Sequence, residues 1–236
     1  LFGRKMPAPT ASTLHSLQNT VVEKQYDVGI ATDGDADRIG IIDDKGNFLH
    51  PNEILVLLYY YLVKFKGWRG PVVRNIATTH MLDKVAETFG EKCYEVPVGF
   101  KHISAKMKES SAIIGGESSG GLTVHGHING KDGIYAAMLL VEMLAVTGKK
   151  LSQIMADIYA ECGKIYMEER DYKFTQAKKD EMFTTLMVNK LIPDLPEEIE
   201  RISYLDGCKI YFKNGGWVIA RFSGTGALLR IFCEMP

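Results

Sequence analysis

The sequence predicts an α/β chain in which strands and helices alternate through about residue 160, followed by a separate α+β region. Three observations predict it. Short strand-like runs over 71–76, 93–98 and 112–114 are separated by segments with helical periodicity, the pattern of a parallel or mixed sheet. From Lys164 the order changes to a strand, one polar helix, a linker with Pro193 and Pro196, and further strands. The 236 residues are 46% hydrophobic and 24% charged, the balance of an ordinary globular protein with room for one large domain or two to three small ones.

Each element has a local cause. Pro9-Thr10 ahead of Leu14, Leu17, Val21 and Val22 reads as a capped amphipathic helix. A strand, an acidic loop and a second strand follow, and Lys45-Gly46-Asn47 turns the chain back toward Phe48 and Leu49. Pro51-Asn52-Glu53 opens a strongly apolar helix to about Phe65, ended by Gly67. A strand over 71–76 precedes a helix over 80–89 stopped by Gly90, and a strand over 93–98 precedes a helix over 100–107. Ala112-Ile113-Ile114 is a short buried strand running into glycines, and a long helix over 133–147 closes this part. The apolar runs over 54–63 and 134–146 are too short to span a bilayer and read as buried helices. Beyond a boundary near residue 163, the expectation is a strand over 165–173, a polar helix over 176–189, and two or three strands through Cys233. Asn214-Gly215-Gly216 joins the two central strands as a hairpin.

Composition narrows the function. A net charge of -1 provides no global field for nucleic acid or an anionic membrane, so neither is an expected partner. Cys93, Cys162, Cys208 and Cys233 are far apart and form no CxxC pair, which points to a reducing compartment without a zinc site or disulfide framework. No signal peptide is visible, although Leu1 is not a start methionine. A cytoplasmic enzyme is the default expectation.

The chemistry concentrates in Thr32-Asp33-Gly34-Asp35-Ala36-Asp37-Arg38, between two apolar runs. Three carboxylates at alternate positions repel one another unless a cation neutralises them, and hard divalent ions such as Mg²⁺ prefer oxygen ligands. Asp33, Asp35 and Asp37 are therefore the candidate metal ligands. A hairpin cap needs one Asp or Asn, rarely three. An EF-hand matches at Asp33, Asp35, Asp37 and Asp44, but Arg38 stands where that loop needs glycine, and strands replace its helices. A phosphatase-type Asp-x-Asp, with Asp33 attacking phosphorus, is a further alternative that leaves Asp37 and Arg38 unexplained.

Three more glycine-framed segments carry functional residues. Gly115-Gly116-Glu117-Ser118-Ser119-Gly120-Gly121 offers a carboxylate beside hydroxyls, suited to pairs of sugar hydroxyls; a flexible solvated loop is the competing reading. Val98-Gly99-Phe100-Lys101-His102 supplies two proton-transfer candidates, Lys101 if nearby cations lower its pKa, and His102; a plain surface lysine competes here. Arg221-Phe222-Ser223-Gly224-Thr225-Gly226, with Arg230 beyond it, combines backbone N–H groups, two hydroxyls and guanidinium forks into an anion nest suited to phosphate; a plain hairpin turn, which needs fewer arginines, is the competing reading.

With these loops in order, the chain resembles the α-D-phosphohexomutase superfamily, which includes phosphoglucomutase and phosphomannomutase. That family's metal loop looks like Asp33-Gly34-Asp35-Ala36-Asp37-Arg38, its sugar loop like Gly116-Glu117-Ser118-Ser119-Gly120, and its phosphate loop like Arg221-Phe222-Ser223-Gly224-Thr225. Gly99-Phe100-Lys101 and Lys131-Asp132-Gly133 also match.

The resemblance implies three-layer α/β units followed by a smaller α+β domain. Residues 1–49 correspond to the C-terminal part of domain two, 50–163 to domain three, and 164–236 to domain four without its last helix. It further implies Mg²⁺ on Asp33, Asp35 and Asp37 and a sugar phosphate substrate. Arg38 would lie on the transferring phosphoryl group and Lys101 or His102 would act as general acid/base. Glu117 and Ser119 would bind sugar hydroxyls, with Arg221, Ser223, Gly224, Thr225 and Arg230 on the distal phosphate. The implied reaction interconverts hexose 1- and 6-phosphates through a phosphoserine and a bisphosphate, with glucose the first choice of sugar and mannose the second. The family's phosphoserine sits in a Ser-His-Asn-Pro-like loop, which this chain lacks; Thr10-Ala11-Ser12 is followed by Thr13-Leu14-His15 and reads as a helix cap. The chain alone is therefore expected to be inactive, or a non-catalytic metal- and sugar-phosphate-binding module. Two departures stand out: Gly226-Ala227 replaces a common Glu-Pro, and Ala36 replaces a common glycine, a change expected to be harmless.

Overall fold

The structure is a computed structural model that describes residues 6–224 and 226–236. They form two compact units, the first ending at Gly163 and the second running from Lys164 to Pro236. Among the described residues no helix is long and apolar enough to cross a membrane.

The first unit begins with a short 3₁₀ turn, Ala11–Thr13, in front of helix α1 (His15–Lys24). Thr10 N–H donates to Thr13 Oγ1 at 3.0 Å, so the threonine expected to cap the helix closes this turn instead. Strands β1 (Gly29–Thr32) and β2 (Ile39–Ile42) pair antiparallel with Thr32 opposite Ile39, and β3 (Phe48–Leu49) adds to β2. The acidic segment is thus the loop of a β-hairpin whose second strand is buried throughout.

Helix α2 (Pro51–Lys64) starts under a capping box. Asn52 N–H donates to His50 Nδ1 at 3.2 Å, and His50 N–H donates to Glu53 Oε2 at 2.8 Å. Every residue from Ile54 to Val63 is buried, and each large side chain there contributes about 1.5–3 kcal/mol. Tyr60 and Tyr61 keep their polar ends satisfied by donating to Glu161 Oε1 at 2.9 Å and Glu142 Oε1 at 2.7 Å.

The second sheet holds β4 (Val72–Asn75), β5 (Cys93–Val96), β6 (Ile114–Gly116) and β7 (Leu122–Val124) in the order β5-β4-β6-β7. The first three are parallel and β7 is antiparallel to β6. Helices α3 (Met81–Thr88) and α4 (Phe100–Ser110) are its crossovers. Helix α2 packs on β2 of one sheet and β6 of the other, as well as on α3, on α5 (Gly133–Thr147) and on α6 (Leu151–Cys162).

The structure differs from the sequence reading at several points. Residues 29–124 make two sheets rather than one, because periodicity identifies strands but not their partners; β1–β3 close locally as hairpins. The strand expected at 112–114 lies at Ile114–Gly116. A Cβ on Gly115 would meet Met107 Sδ and Ile103 Cγ2 at 2.6 Å, and one on Gly116 would meet both Leu55 methyl groups at 2.9 Å. These two glycines let α4 and α2 press onto the strand, a packing role rather than a loop role. The sequence reading contains neither strand β7 nor helix α6, the latter carrying Leu151, Ile154, Met155 and Ile158 as a buried stripe. Helix α5 is not buried all round: Ile134 is 59% and Met138 63% exposed on one face, while Ala136, Leu139, Leu140 and Met143 face inward. An all-apolar run has no polar face to mark its outside.

The second unit is one antiparallel sheet of β8 (Tyr166–Lys173), β9 (Ile199–Ser203), β10 (Cys208–Phe212), β11 (Trp217–Phe222) and β12 (Leu228–Met235), ordered β8-β12-β11-β10-β9. Helix α7 (Gln176–Phe183) runs into a π-helical turn, Thr184–Val188. Cys208, Ile210 and Phe212 pack under Leu186, Met187, Ile192 and Leu195. Four strands follow α7 where two or three were expected, because Ile199–Ser203 alternates too weakly to read as a strand.

Candidate functional site

Asp33, Asp35 and Asp37 each point a carboxylate oxygen into a common space, with these oxygens within 4.8 Å of one another. Asp33 is buried, Asp37 half-buried and Asp35 exposed. Arg38 closes the loop on Asp33: its N–H donates to Oδ1 at 3.1 Å and its Nε to Oδ2 at 2.5 Å. Burial alone would raise the Asp33 carboxyl, but the side-chain and backbone bonds from Arg38 and its charge hold it below the usual carboxylate range. Arg38 Nε also stands 3.7 Å from Asp37 Oδ1, and Lys131 pairs with Asp37 Oδ2 from outside the loop. Two cations against three carboxylates leave one negative charge on an all-oxygen donor set, which fits a hard divalent ion such as Mg²⁺.

Ala36 sits at φ 57, the left-handed region. The substitution expected to be harmless is therefore strained, by about 1–2 kcal/mol relative to the right-handed conformation. Its carbonyl is fixed by the Gly133 N–H at 2.9 Å, so the loop cannot relax out of this conformation cheaply. Ala36→Gly is expected to raise stability by about 0.5–1 kcal/mol in denaturant titration; an unchanged or lowered midpoint would show that the strain is illusory.

The glycine loop after β6 meets the acidic hairpin directly. Ile39 N–H donates to the Gly120 carbonyl at 3.4 Å, and Gly120 has φ +100 with its bare Cα face toward Ile39 O. A Cβ on Gly133 would lie 2.9 Å from the carbonyl oxygens of Ala36 and Arg38, so the first turn of α5 also needs glycine to dock on this hairpin. Within the glycine loop, Ser119 Oγ donates to Glu117 Oε1 at 2.8 Å. Glu117 is half-buried, and its Oε2 accepts Asn75 Nδ2 at 3.4 Å. Asn75 Oδ1 also accepts Thr78 Oγ1 at 2.9 Å, and Thr78 Oγ1 accepts the Ser118 N–H at 3.2 Å. Asn75 and Thr78 therefore hold the Glu117 loop from the end of β4. No motif marked them in the sequence, because their partners lie about 40 positions away along the chain.

Lys101 and His102 occupy the first turn of α4, behind Gly99 at φ +124. They follow the C-terminal end of β5, the same end of the parallel strands that carries Asn75 and Glu117, where α/β sheets bind ligands. Lys101 is exposed and His102 half-buried. Neither forms a hydrogen bond or ion pair with the acidic loop or with Glu117 among the described residues, so the structure shares the sheet end between them without joining them. Asp132 caps α5 by accepting the Tyr135 N–H at 2.9 Å, and its other oxygen lies 2.8 Å from His127 Nε2. The Tyr135 bond first, then the His127 bond, lowers the Asp132 carboxyl.

In the second unit, Arg221 and Arg230 stand directly opposite each other on β11 and β12. Directly opposed like charges repel, and each is offset by an acid: Arg221 Nη2 lies 3.2 Å from Asp206 Oδ1, and Arg230 Nε 3.5 Å from Asp171 Oδ1. Arg221 Nε is buried without a hydrogen-bond partner among the described residues. Ser223 N–H donates to Leu228 O at 2.8 Å across the turn, and Gly224 is exposed. Lys179, which motif reading did not find, clamps the loop by donating to the carbonyls of Ser223 at 2.7 Å and Gly226 at 3.0 Å. Thr225 lies outside the described residues.

Comparison with known proteins gives the same assignment. Residues 50–162 match the family model for phosphoglucomutase/phosphomannomutase alpha/beta/alpha domain III, and residues 1–46 match the model for domain II. A phosphoglucomutase/phosphomannomutase of Thermococcus kodakarensis is 30% identical over 233 residues, covering 99% of this chain and 48% of that protein. A phosphoglucosamine mutase of Latilactobacillus sakei is 30% identical over 221 residues, covering 93% of this chain and 45% of that protein. The solved structure of the Paramecium phosphoglucomutase pp63/parafusin in its open form superposes with a TM-score of 0.79 at 27% identity, covering 98% of this chain and 46% of that one. The chain thus spans about half the length of the curated relatives it matches. By its acidic hairpin loop, its glycine-framed carboxylate loop and these matches, the chain belongs to the phosphoglucomutase/phosphomannomutase family of the α-D-phosphohexomutase superfamily.

Proposed function

We propose that this chain supplies the metal, sugar and distal-phosphate loops of a phosphohexomutase that interconverts hexose 1- and 6-phosphates, with glucose the first choice of sugar and mannose the second. The observation that carries the reading is the junction of two loops: three carboxylate oxygens within 4.8 Å of one another, on a hairpin hydrogen-bonded to the loop that presents Glu117 and Ser119. Relatives bear the names of glucose, mannose and glucosamine mutases, so the reaction class has more support than the sugar.

Asp33, Asp35 and Asp37 would hold Mg²⁺, which neutralises charge on a transferring phosphoryl group when bound. Arg38 keeps Asp33 ionised and shaped, and its remaining guanidinium N–H groups can donate to phosphoryl oxygens. Glu117 accepts from sugar hydroxyls while Ser119 both donates and accepts, so the pair tolerates either orientation of a hexose. Lys101, or secondarily His102, would move the proton at the hydroxyl that gains or loses the phosphoryl group. Arg221, Ser223, Gly224, Thr225 and Arg230 would hold the phosphate that is not reacting, each charge-assisted contact contributing ~1.5–3 kcal/mol. An Asp33 nucleophile of the phosphatase kind is disfavoured, because Arg38 engages both of its oxygens.

No Ser-His-Asn-Pro loop occurs in the 236 residues. The purified chain is therefore expected to bind Mg²⁺ and glucose 1-phosphate in calorimetric titration while showing no conversion to glucose 6-phosphate. Turnover by the chain free of host enzyme would overturn the assignment of the nucleophile. Phosphate release that disappears in Asp33→Asn would instead restore the phosphatase reading.

A further inference from the structure

The acidic hairpin draws its two cations from different places, and they are held differently. Arg38 belongs to the hairpin and is fixed on Asp33 through both its backbone N–H and its Nε. Lys131 comes from the segment before α5, and its ammonium meets only the outer oxygen, Asp37 Oδ2, with both side chains about a quarter exposed at 25% and 26%. The stem of Lys131 fills the niche that Gly121 leaves open. A Cβ on Gly121 would lie 2.2 Å from Lys131 Cδ and 2.9 Å from its Cγ, with Glu117 Oε1 3.5 Å from the same point. The backbone beside it is anchored, since Asp132 caps α5 and the Gly133 N–H is bound to Ala36 O. The Lys131 stem is thus held beside Gly121, close to Glu117 Oε1, while its ammonium lies on Asp37.

We propose that Lys131 is a displaceable counter-cation of the metal loop: it neutralises Asp37 when no divalent ion is bound, and yields to the ion by swinging along Gly121 toward Glu117. A positive charge on Asp37 Oδ2 opposes a second cation at the same oxygens, so the two compete for one carboxylate. Displacement transfers one positive charge from the acidic loop to the carboxylate proposed to bind sugar. Metal occupancy would thereby set the charge and order of the sugar loop before any sugar phosphate arrives. This inference rests on the metal reading above and adds Lys131 as a positioning residue for it.

Calorimetric titration of the 236-residue chain with Mg²⁺ alone tests it. Lys131→Met keeps the stem against Gly121 and removes the charge, and is expected to bind Mg²⁺ on the order of tenfold more tightly than the wild-type chain. Lys131→Gln, a second neutral variant, is expected to move in the same direction, and Lys131→Arg, which keeps the charge, to stay within roughly twofold of wild type. Unchanged or weaker binding in the neutral variants would overturn the competition. Hydrogen exchange provides a readout on the wild-type chain itself: adding Mg²⁺ should change protection at the Ser119, Gly120 and Gly121 amides, and that change should vanish in Lys131→Met. A response confined to residues 33–38 would overturn the transfer toward Glu117. Absence of Mg²⁺ binding in the folded wild-type chain would sink the metal reading together with this one, whereas binding insensitive to Lys131 would sink this one alone.

Discussion

Asp35→Asn is expected to weaken Mg²⁺ binding to the chain by on the order of 100-fold, the upper end of the 10–100-fold that loss of partners behind metal ligands usually costs. Asp35 is the exposed member of the three and forms no ion pair among the described residues. Its replacement removes a charged ligand and leaves the Arg38–Asp33 closure of the hairpin intact. The unfolding midpoint should therefore stay within about 0.5 kcal/mol of wild type, as for surface substitutions in general. Asp33→Asn makes the contrasting case. It takes the charge from a buried carboxylate that holds Arg38 in two places, so both affinity and stability should fall. Calorimetry with Mg²⁺ on the two variants separates ligand from scaffold. Asp35→Asn binding within threefold of wild type would mean that the three carboxylates do not act together on one ion.

Arg74→Met should produce the largest loss of stability, about 3 kcal/mol in the transition of the first unit. The Arg74 side chain is 3% exposed on β4. Its Nε and Nη2 donate to Asp83 at 2.7 and 3.0 Å, and its Nη1 donates to Glu95 at 2.6 Å. Methionine fills much of the volume but leaves two carboxylates facing a site that no longer holds a cation. Asp83 is 40% exposed and can regain water, which keeps the expected cost at the low end for a broken buried pair. Arg74 directly precedes Asn75, which holds Glu117, so the loss should also loosen the Glu117 loop. Urea titration followed by far-ultraviolet circular dichroism checks it. A change below 1 kcal/mol would mean that this network is compensated elsewhere.

The acidic hairpin and the Glu117 loop were legible because their chemistry is local. Asp33, Asp35, Asp37 and Arg38 lie within one turn, and Glu117 and Ser119 are two positions apart, so spacing alone brings their groups together. Asn75, Thr78 and Lys179 carry no motif for the opposite reason: each acts on a loop far away in sequence and has no local signature, and although Lys131-Asp132-Gly133 matches as a segment, nothing in its spacing places Lys131 on Asp37. The glycines divide along the same line. Gly120 reads as a residue for close approach and serves as one, whereas Gly115 and Gly116, which read as part of the glycine loop, are strand positions pressed by Met107 and Leu55. Helix α6 was available in the Leu151, Ile154, Met155 and Ile158 stripe and went unread, whereas a strand as short as Leu122–Val124 has too few residues to show alternation.

What the sequence by itself determined is therefore the set of candidate site groups and most of the elements that carry them, because covalent spacing and hydrophobic periodicity act over a few residues. Which strands pair, which face of α5 stays outside, where Ala36 is strained and which distant cation sits on Asp37 were decided only by the tertiary structure. Those outcomes depend on contacts between segments whose separation along the chain has no fixed relation to their distance in space, and burial and charge balance select among them only once the layers have packed.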